Sequence, residues 1–163
     1  MFRLSAIAAI LAASCSFAAV ADQFQVKASS SIAPTADTLV LLVSPDQLNA
    51  NPQLEAISKQ ENFSAAHGKT LNWLAPASPY SQYQRVLLLG TGDSAKLTPY
   101  QASLLGATAA RSLKGSAANT IQLDASLIKA PIGQAELLAQ ISHGVDLASY
   151  TFTRYHTNKQ ASK

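Results

Sequence analysis

Two kinds of apolar pattern alternate along this chain. Thr38-Leu39-Val40-Leu41-Leu42-Val43 and Arg85-Val86-Leu87-Leu88-Leu89 are continuous apolar runs, the pattern of strands buried on both faces of a sheet. Phe24-Gln25-Val26 alternates like a short strand, and Thr70 to Leu74 and Thr120 to Leu123 are further β-prone runs bounded by turn residues. Between them the spacing changes to that of helices. Asn51-Pro52 is a cap followed by proline, and Leu54 and Ile57 share one face of a short helix that ends before Asn62. Near the C-terminus Leu138, Ile141, Val145 and Ala148 recur at three- and four-residue intervals, a stripe that continues toward Phe152 and Tyr155.

The most strongly punctuated helix spans 99–114. Thr98 can cap it, Pro99 suits its first position and Gln101 completes a capping-box pattern. Arg111 and Lys114 lie in the last turn, where the carbonyl end of the dipole favours cations, and Gly115 can close it. Leu97, Tyr100, Leu104, Ala107 and Leu113 fit one buried face. Gly106 costs roughly 1 kcal/mol of helix propensity relative to alanine, which predicts a close approach of the helix backbone to the sheet. Strand, helix and strand from Arg85 to Asp124 make a parallel crossover, and the whole pattern predicts a single α/β layered domain with a mixed, largely parallel sheet.

The first 21 residues stand apart from this pattern. Arg3 is a positive start, Leu4 to Ala13 an apolar core too short to span a bilayer, and Ala19-Val20-Ala21 a small-x-small site, so residues 1–21 read as a signal peptide cleaved before Asp22. An alternative uses Ala12-Ala13-Ser14-Cys15 as a lipoprotein site with Cys15 acylated. Export places the mature chain in the periplasm or outside the cell, with no stable membrane insertion after cleavage. Domain 22–156 is then one core of ordinary size, and 157–163 a polar tail. Without Cys15 there is no cysteine, which excludes disulfides, thiolate metal sites and cysteine catalysis. Setting Arg3 aside leaves eleven basic against nine acidic residues, dispersed without a basic run, so the footprint that nucleic-acid binding needs is missing.

Candidate chemistry is sparse. Gly90, Thr91, Gly92 and Asp93 form a strand-to-helix turn whose amides can approach a phosphate, or a tight turn with glycines at positive φ. The separation of Gly92 from the helix start at Thr98 favours the turn. His67, His143 and His156 are the only histidines. His143 and Asp146 can share a helix face, but two ligands do not make a zinc site. Ser149, Tyr150 and His143 lack the elbow and the orienting group of a nucleophile. No catalytic residue, metal or cofactor is expected.

From Arg85 onward the chain resembles the N-terminal domain of the leucyl aminopeptidase, or cytosol aminopeptidase, family. Two stretches carry the resemblance: Arg85 to Gly92 with its following helix, and Gly144-Val145-Asp146-Leu147-Ala148-Ser149-Tyr150-Thr151-Phe152-Thr153-Arg154-Tyr155. The second is similar to the family's pattern of glycine, leucine, tyrosine, phenylalanine and tyrosine at the end of its first domain; weaker similarity reaches back to Thr38. The resemblance implies a macro-like α/β fold. It also implies that metal ligands, catalytic lysine and bicarbonate-associated arginine belong to a separate C-terminal domain around an Asn-Thr-Asp-Ala-Glu-Gly-Arg stretch, which does not occur here.

The leading expectation is therefore a non-catalytic interaction or assembly module, as a homo-oligomer or with a separate aminopeptidase catalytic chain. Tyr150, Phe152 and Tyr155 are its candidate interface, since they stand where the family hands the chain to its catalytic domain. Two alternatives remain open: a nucleotide or ADP-ribose-like ligand in a macro-like cleft, and a truncated metalloaminopeptidase.

Overall fold

A computed structural model describes residues 25–28, 36–116 and 120–149, with backbone alone for the first of these segments. Its elements in chain order are β1 (Gln25–Ala28), β2 (Thr38–Val43), α1 (Pro45–Ala50), α2 (Pro52–Gln60), β3 (Thr70–Leu74), β4 (Arg85–Gly90), α3 (Pro99–Leu113), β5 (Thr120–Asp124) and α4 (Gln134–Ser149). The sheet order is β1-β5-β2-β4-β3. Every pairing is parallel except that of β3 with β4, so the sheet is mixed and largely parallel.

The crossover from β4 through α3 to β5 passes over β2, which pairs with both of those strands. This central position explains why all six residues of β2 are buried and why its sequence does not alternate. Leu39, Leu41 and Val43 point to one face, where Leu48 of α1, Leu54 of α2 and Phe63 meet them. Val40 and Leu42 point to the other, against Ala102, Leu105 and Ala109 of α3 and Leu137 and Ile141 of α4. The result is three layers. Each fully buried leucine is worth roughly 1.5–3 kcal/mol, so the two clusters on either side of β2 dominate the stability of the domain.

Asp37 sets the entry to this sheet. Its carbonyl accepts from the amides of Gln84 at 2.9 Å and Arg85 at 3.3 Å, and its carboxylate accepts from the Thr120 amide at 3.2 Å. One residue before β2 thus fixes the starts of the strands on both sides of it. On the α1/α2 side, the loop between β3 and β4 lays Tyr83 across the sheet, and its hydroxyl donates to Gln122 Oε1 of β5 at 3.0 Å in a buried contact. Burial pushes the Tyr83 phenol above its usual pKa; the Gln82 side chain pulls the other way, and the Asp124 carboxylate adds to the rise.

The helix termini follow their sequence signals. Thr98 and Gln101 form the capping box reciprocally, and Asn51 Oδ1 accepts from Gln53 and Leu54 at the start of α2. One helix goes beyond the pattern: Ser44 caps α1, whose six residues precede α2 with only Asn51 between them. The face that α3 buries also differs from the expected one. Ala102, Leu105, Gly106, Ala109, Ala110 and Leu113 face inward, while Tyr100 and Leu104 face solvent. The reason is the closeness of α4. A Cβ on Gly106 would overlap the carbonyl of Ile141, and one on Gly144 would overlap the carbonyl of Ser103. Small residues are what so tight a helix pair requires, and Gly106 therefore serves contact with α4 rather than with the sheet.

Candidate functional site

In open α/β sheets ligands collect outside the carboxyl ends of the parallel strands. Here that edge is formed by the ends of β2, β4 and β5, and Gly90-Thr91-Gly92-Asp93 lies on it. Three of its four amides are engaged. Gly90 N donates to the Lys69 carbonyl at 2.8 Å, Thr91 N to the Val43 carbonyl at 3.0 Å, and Gly92 N to the Ala65 carbonyl at 3.0 Å. An anion resting on these three amides would have to displace their bonds, each worth about 1 kcal/mol net and more when buried.

The two glycines have different reasons to be there. Gly92 has φ +66 and lies against His67, so its freedom is conformational. Gly90 is pressed by the backbone of Ala65 and Ala66, so what it supplies is space. The facing loop is itself wound tightly, with Asn62 at φ 52 and Ala65 at φ 53. Its His67 holds Thr91 from the side, with Nδ1 3.2 Å from the Thr91 carbonyl oxygen. Thr91 itself is buried, its hydroxyl 3.4 Å from the Val43 carbonyl oxygen and 3.2 Å from that of Gly92.

Asp93 caps a 3-10 turn, Ser94–Lys96. Its carboxylate accepts from Ala95 N at 3.1 Å and pairs with Lys96 Nζ at 3.0 Å; the Lys96 contact, with the Ala95 amide second, holds its carboxyl below the usual range. A carboxylate beside the loop disfavours a phosphate further. Thr98 N and Gln101 N at the start of α3 are taken by the capping box.

The other sequence candidates are not brought together. His143 and Asp146 are exposed on α4, one turn apart, far in sequence from His67 on its loop. Among the described residues no group of three or more histidine, cysteine or acidic side chains is placed to hold a metal ion. Ser149 donates to the Asp146 carbonyl at 2.9 Å. Tyr150, Phe152, Tyr155 and His156 lie outside the described residues. Among the described residues no helix is long and apolar enough to cross a membrane.

Two features escaped the sequence reading. A shallow groove of about 460 Å³ runs between α1, α2 and the turn after α2, lined by Asn49, Glu55, Lys59, Asn62 and Ser64. Glu55 and Lys59 pair with each other there at 2.6 Å, across one turn of α2. The second is apolar. Tyr100 is 71% exposed, Leu147 63% and Leu104 38%, on two helices that touch backbone to backbone. The competing alanine-rich stripe of α3 was the signal that could have revealed it.

Comparison with known proteins gives this fold a family. Residues 42–159 match the model of the cytosol aminopeptidase family, N-terminal domain. The chain is similar to a probable cytosol aminopeptidase 1 of Shewanella oneidensis, 31% identical over 137 residues, 78% of this chain and 26% of that protein. It is also 33% identical over 108 residues to a probable cytosol aminopeptidase of Agrobacterium fabrum, covering 66% of this chain and 21% of the relative. It thus spans about a quarter of the length of these curated relatives. Among solved structures, the bottromycin maturation enzyme BotP shares the fold with a TM-score of 0.60 at 20% identity, over 78% of this chain and 26% of that one. A second BotP structure, in complex with Mn, superposes with a TM-score of 0.59 at 21% identity, over 75% and 25% of the two chains. Over residues 42–159 this chain belongs to the cytosol aminopeptidase family by that family's N-terminal domain.

Proposed function

We propose that this domain is a non-catalytic assembly module, acting as a homo-oligomer or beside a separate aminopeptidase catalytic chain. One contrast carries the reading. The amides of Gly90, Thr91 and Gly92 at the carboxyl edge of the sheet are spent on the protein's own backbone, whereas the outer helical layer leaves Tyr100, Leu104 and Leu147 in solvent. Surfaces of that kind are used for association. Family membership supports it, since the matched region is the N-terminal domain and the relatives are about four times longer. The reading includes export, on the strength of Arg3, the apolar stretch from Leu4 to Ala13 and the Ala19-Val20-Ala21 site.

The experiment is to purify the chain from cells that make it and determine its mass in solution and its companions. An oligomer of this chain, or a stoichiometric complex with a polypeptide carrying an aminopeptidase catalytic domain, is the expected result. A monomer at every concentration that copurifies with no such polypeptide would overturn the reading.

A further inference from the structure

The two edges of the sheet are unequal. β1 and β3 end the strand order, and β1 carries Lys27, a charge of the kind that keeps an edge from pairing. β3 reads Thr70-Leu71-Asn72-Trp73-Leu74, with no charge and no proline, and its register with β4 runs without a bulge. Three of the devices that blunt an edge are therefore missing from it.

The ladder decides which backbone groups of β3 face outward. Gly90 N donates to the Lys69 carbonyl just before the strand, and Ala75 N donates to the Gln84 carbonyl just after it. Bonded and non-bonded pairs alternate along an antiparallel ladder. In the register that sets Thr70 opposite Leu89 and Leu74 opposite Arg85, Leu71 and Trp73 therefore bond to β4, while the amides and carbonyls of Thr70, Asn72 and Leu74 point away from it. Among the described residues these backbone groups have no hydrogen-bond partner. What completes such a row is another backbone at strand spacing, so the ligand it specifies is an extended peptide. A second folded copy could offer only its own edge of five residues, about 17 Å long, far short of the roughly 800 Å² per partner of a stable pairing. A segment without a fold of its own can lay both of its faces along β3.

The surroundings narrow the side chains of that peptide. Leu71 and Trp73 lean on the α1/α2 side of the core, and Trp73 meets Tyr80 edge to face with ring centroids 6.0 Å apart. Beside Leu71, a cleft of about 150 Å³ lined by Glu61, Asn62, Phe63, Ser64 and Lys69 has room for one side chain. Side chains of an added strand alternate between the faces of the sheet, so the residue two places from the cleft lies beside Trp73. Opposite charges, Glu61 and Lys69, border the cleft, and Asn62 and Ser64 offer hydrogen bonds, which together suit a neutral polar side chain. The Trp73 ring suits an apolar one. On the other face the added strand meets the exposed Asn72 and Leu74, with Arg85 opposite Leu74 in β4. We propose that the outer edge of β3 binds an extended segment of another polypeptide by strand addition, with a neutral polar side chain in the cleft between Glu61 and Lys69 and an apolar one beside Trp73.

The probe is acetyl-Thr-Val-Thr-Gln-Thr-Val-Thr-amide, which reads the same in both directions and so presents glutamine to the cleft and valine to Trp73 whether it adds parallel or antiparallel. Titration of the full purified chain, followed by the fluorescence of its single tryptophan, Trp73, should saturate at submillimolar probe. Two twins of the probe are N-methylated at alternate residues, one in each phase. Only one set of amides faces β3, so one twin should bind about tenfold or more weakly and the other like the parent. Asn72→Pro removes an outward amide without touching the bonds to β4, and should weaken the parent about tenfold or more with unchanged circular dichroism. If that variant does not fold, the methylated twins decide. No saturation up to millimolar probe, or twins that behave alike, overturns the proposal. Self-association of the chain that Asn72→Pro abolishes, without binding of the probe, gives the edge to a second copy and also overturns it. None of these failures touches the assembly reading, which rests on the mass and companions of the chain.

Discussion

Replacing Gly106 by alanine tests the helix packing on which the exposed face depends. In an isolated helix the change is favourable by about 1 kcal/mol. In this protein the new methyl would occupy the position of the Ile141 carbonyl and crowd the Val145 amide. Neither obstacle is the end of a flexible side chain, so no rotamer change relieves it. The helices have to separate, loosening the contacts of Ala102, Leu105 and Ala109 with Leu137 and Ile141. Overpacking of this kind costs about 1–3 kcal/mol and occasionally more, and backbone against backbone belongs at the upper end. Subtracting the propensity gain leaves a net loss of about 2 kcal/mol, or roughly 5–10 °C in Tm for a domain of this size. Urea denaturation followed by the fluorescence of Trp73, the single tryptophan, reads it directly. Gly133→Ala, where an added Cβ meets nothing within 4 Å, is the control and should be close to neutral. Gly106→Ala as stable as wild type, or more stable, would show that propensity alone acts at this site and that α3 and α4 do not touch there.

Further outcomes follow from other contacts. Ala75 sits exposed at φ 47, so Ala75→Gly should stabilise the domain by up to about 1 kcal/mol in the same denaturation assay. Tyr83→Phe should cost about 1 kcal/mol by removing the buried donor to Gln122. It should also flatten the alkaline limb of the stability profile. The folded-state pKa of Tyr83 is raised, so its contribution is fully present below the ordinary tyrosine pKa and is lost as pH rises through the folded value. Mass spectrometry of the exported protein should find Asp22 at its N-terminus, whereas a lipid on Cys15 would establish anchoring instead.

The strands were legible because their patterns are local. Thr38–Val43 and Thr70–Leu74 have the bounds that their apolar runs suggested, and the capping box placed the start of α3 at Pro99. What escaped was set by tertiary contact. The phase of α3 was ambiguous between a leucine and tyrosine stripe and an alanine-rich one, and the choice depends on how closely α4 approaches, which only the fold determines. The same holds for Gly106, whose neighbour is Ile141 of α4, and for Gly90, which yields space to Ala65 and Ala66 rather than turning the chain. Helix α1 was hidden because six residues are too few to show a helical period, although Ser44-Pro45 is a start signal. The loop Gly90 to Asp93 was visible as a motif, but the engagement of three of its amides by Lys69, Val43 and Ala65 was not, since those carbonyls come from two segments distant in sequence, the end of β2 and the loop before β3.

The central proposal is that this domain assembles and does not itself catalyse. Two-metal hydrolysis needs clustered ligands that bridge both ions. Leucyl anilide hydrolysis by the purified chain, with manganese, zinc or cobalt added, is its most direct test. The account predicts no turnover above the metal-only blank. Leucine release that elutes with the protein on gel filtration and is abolished by a chelator would contradict it.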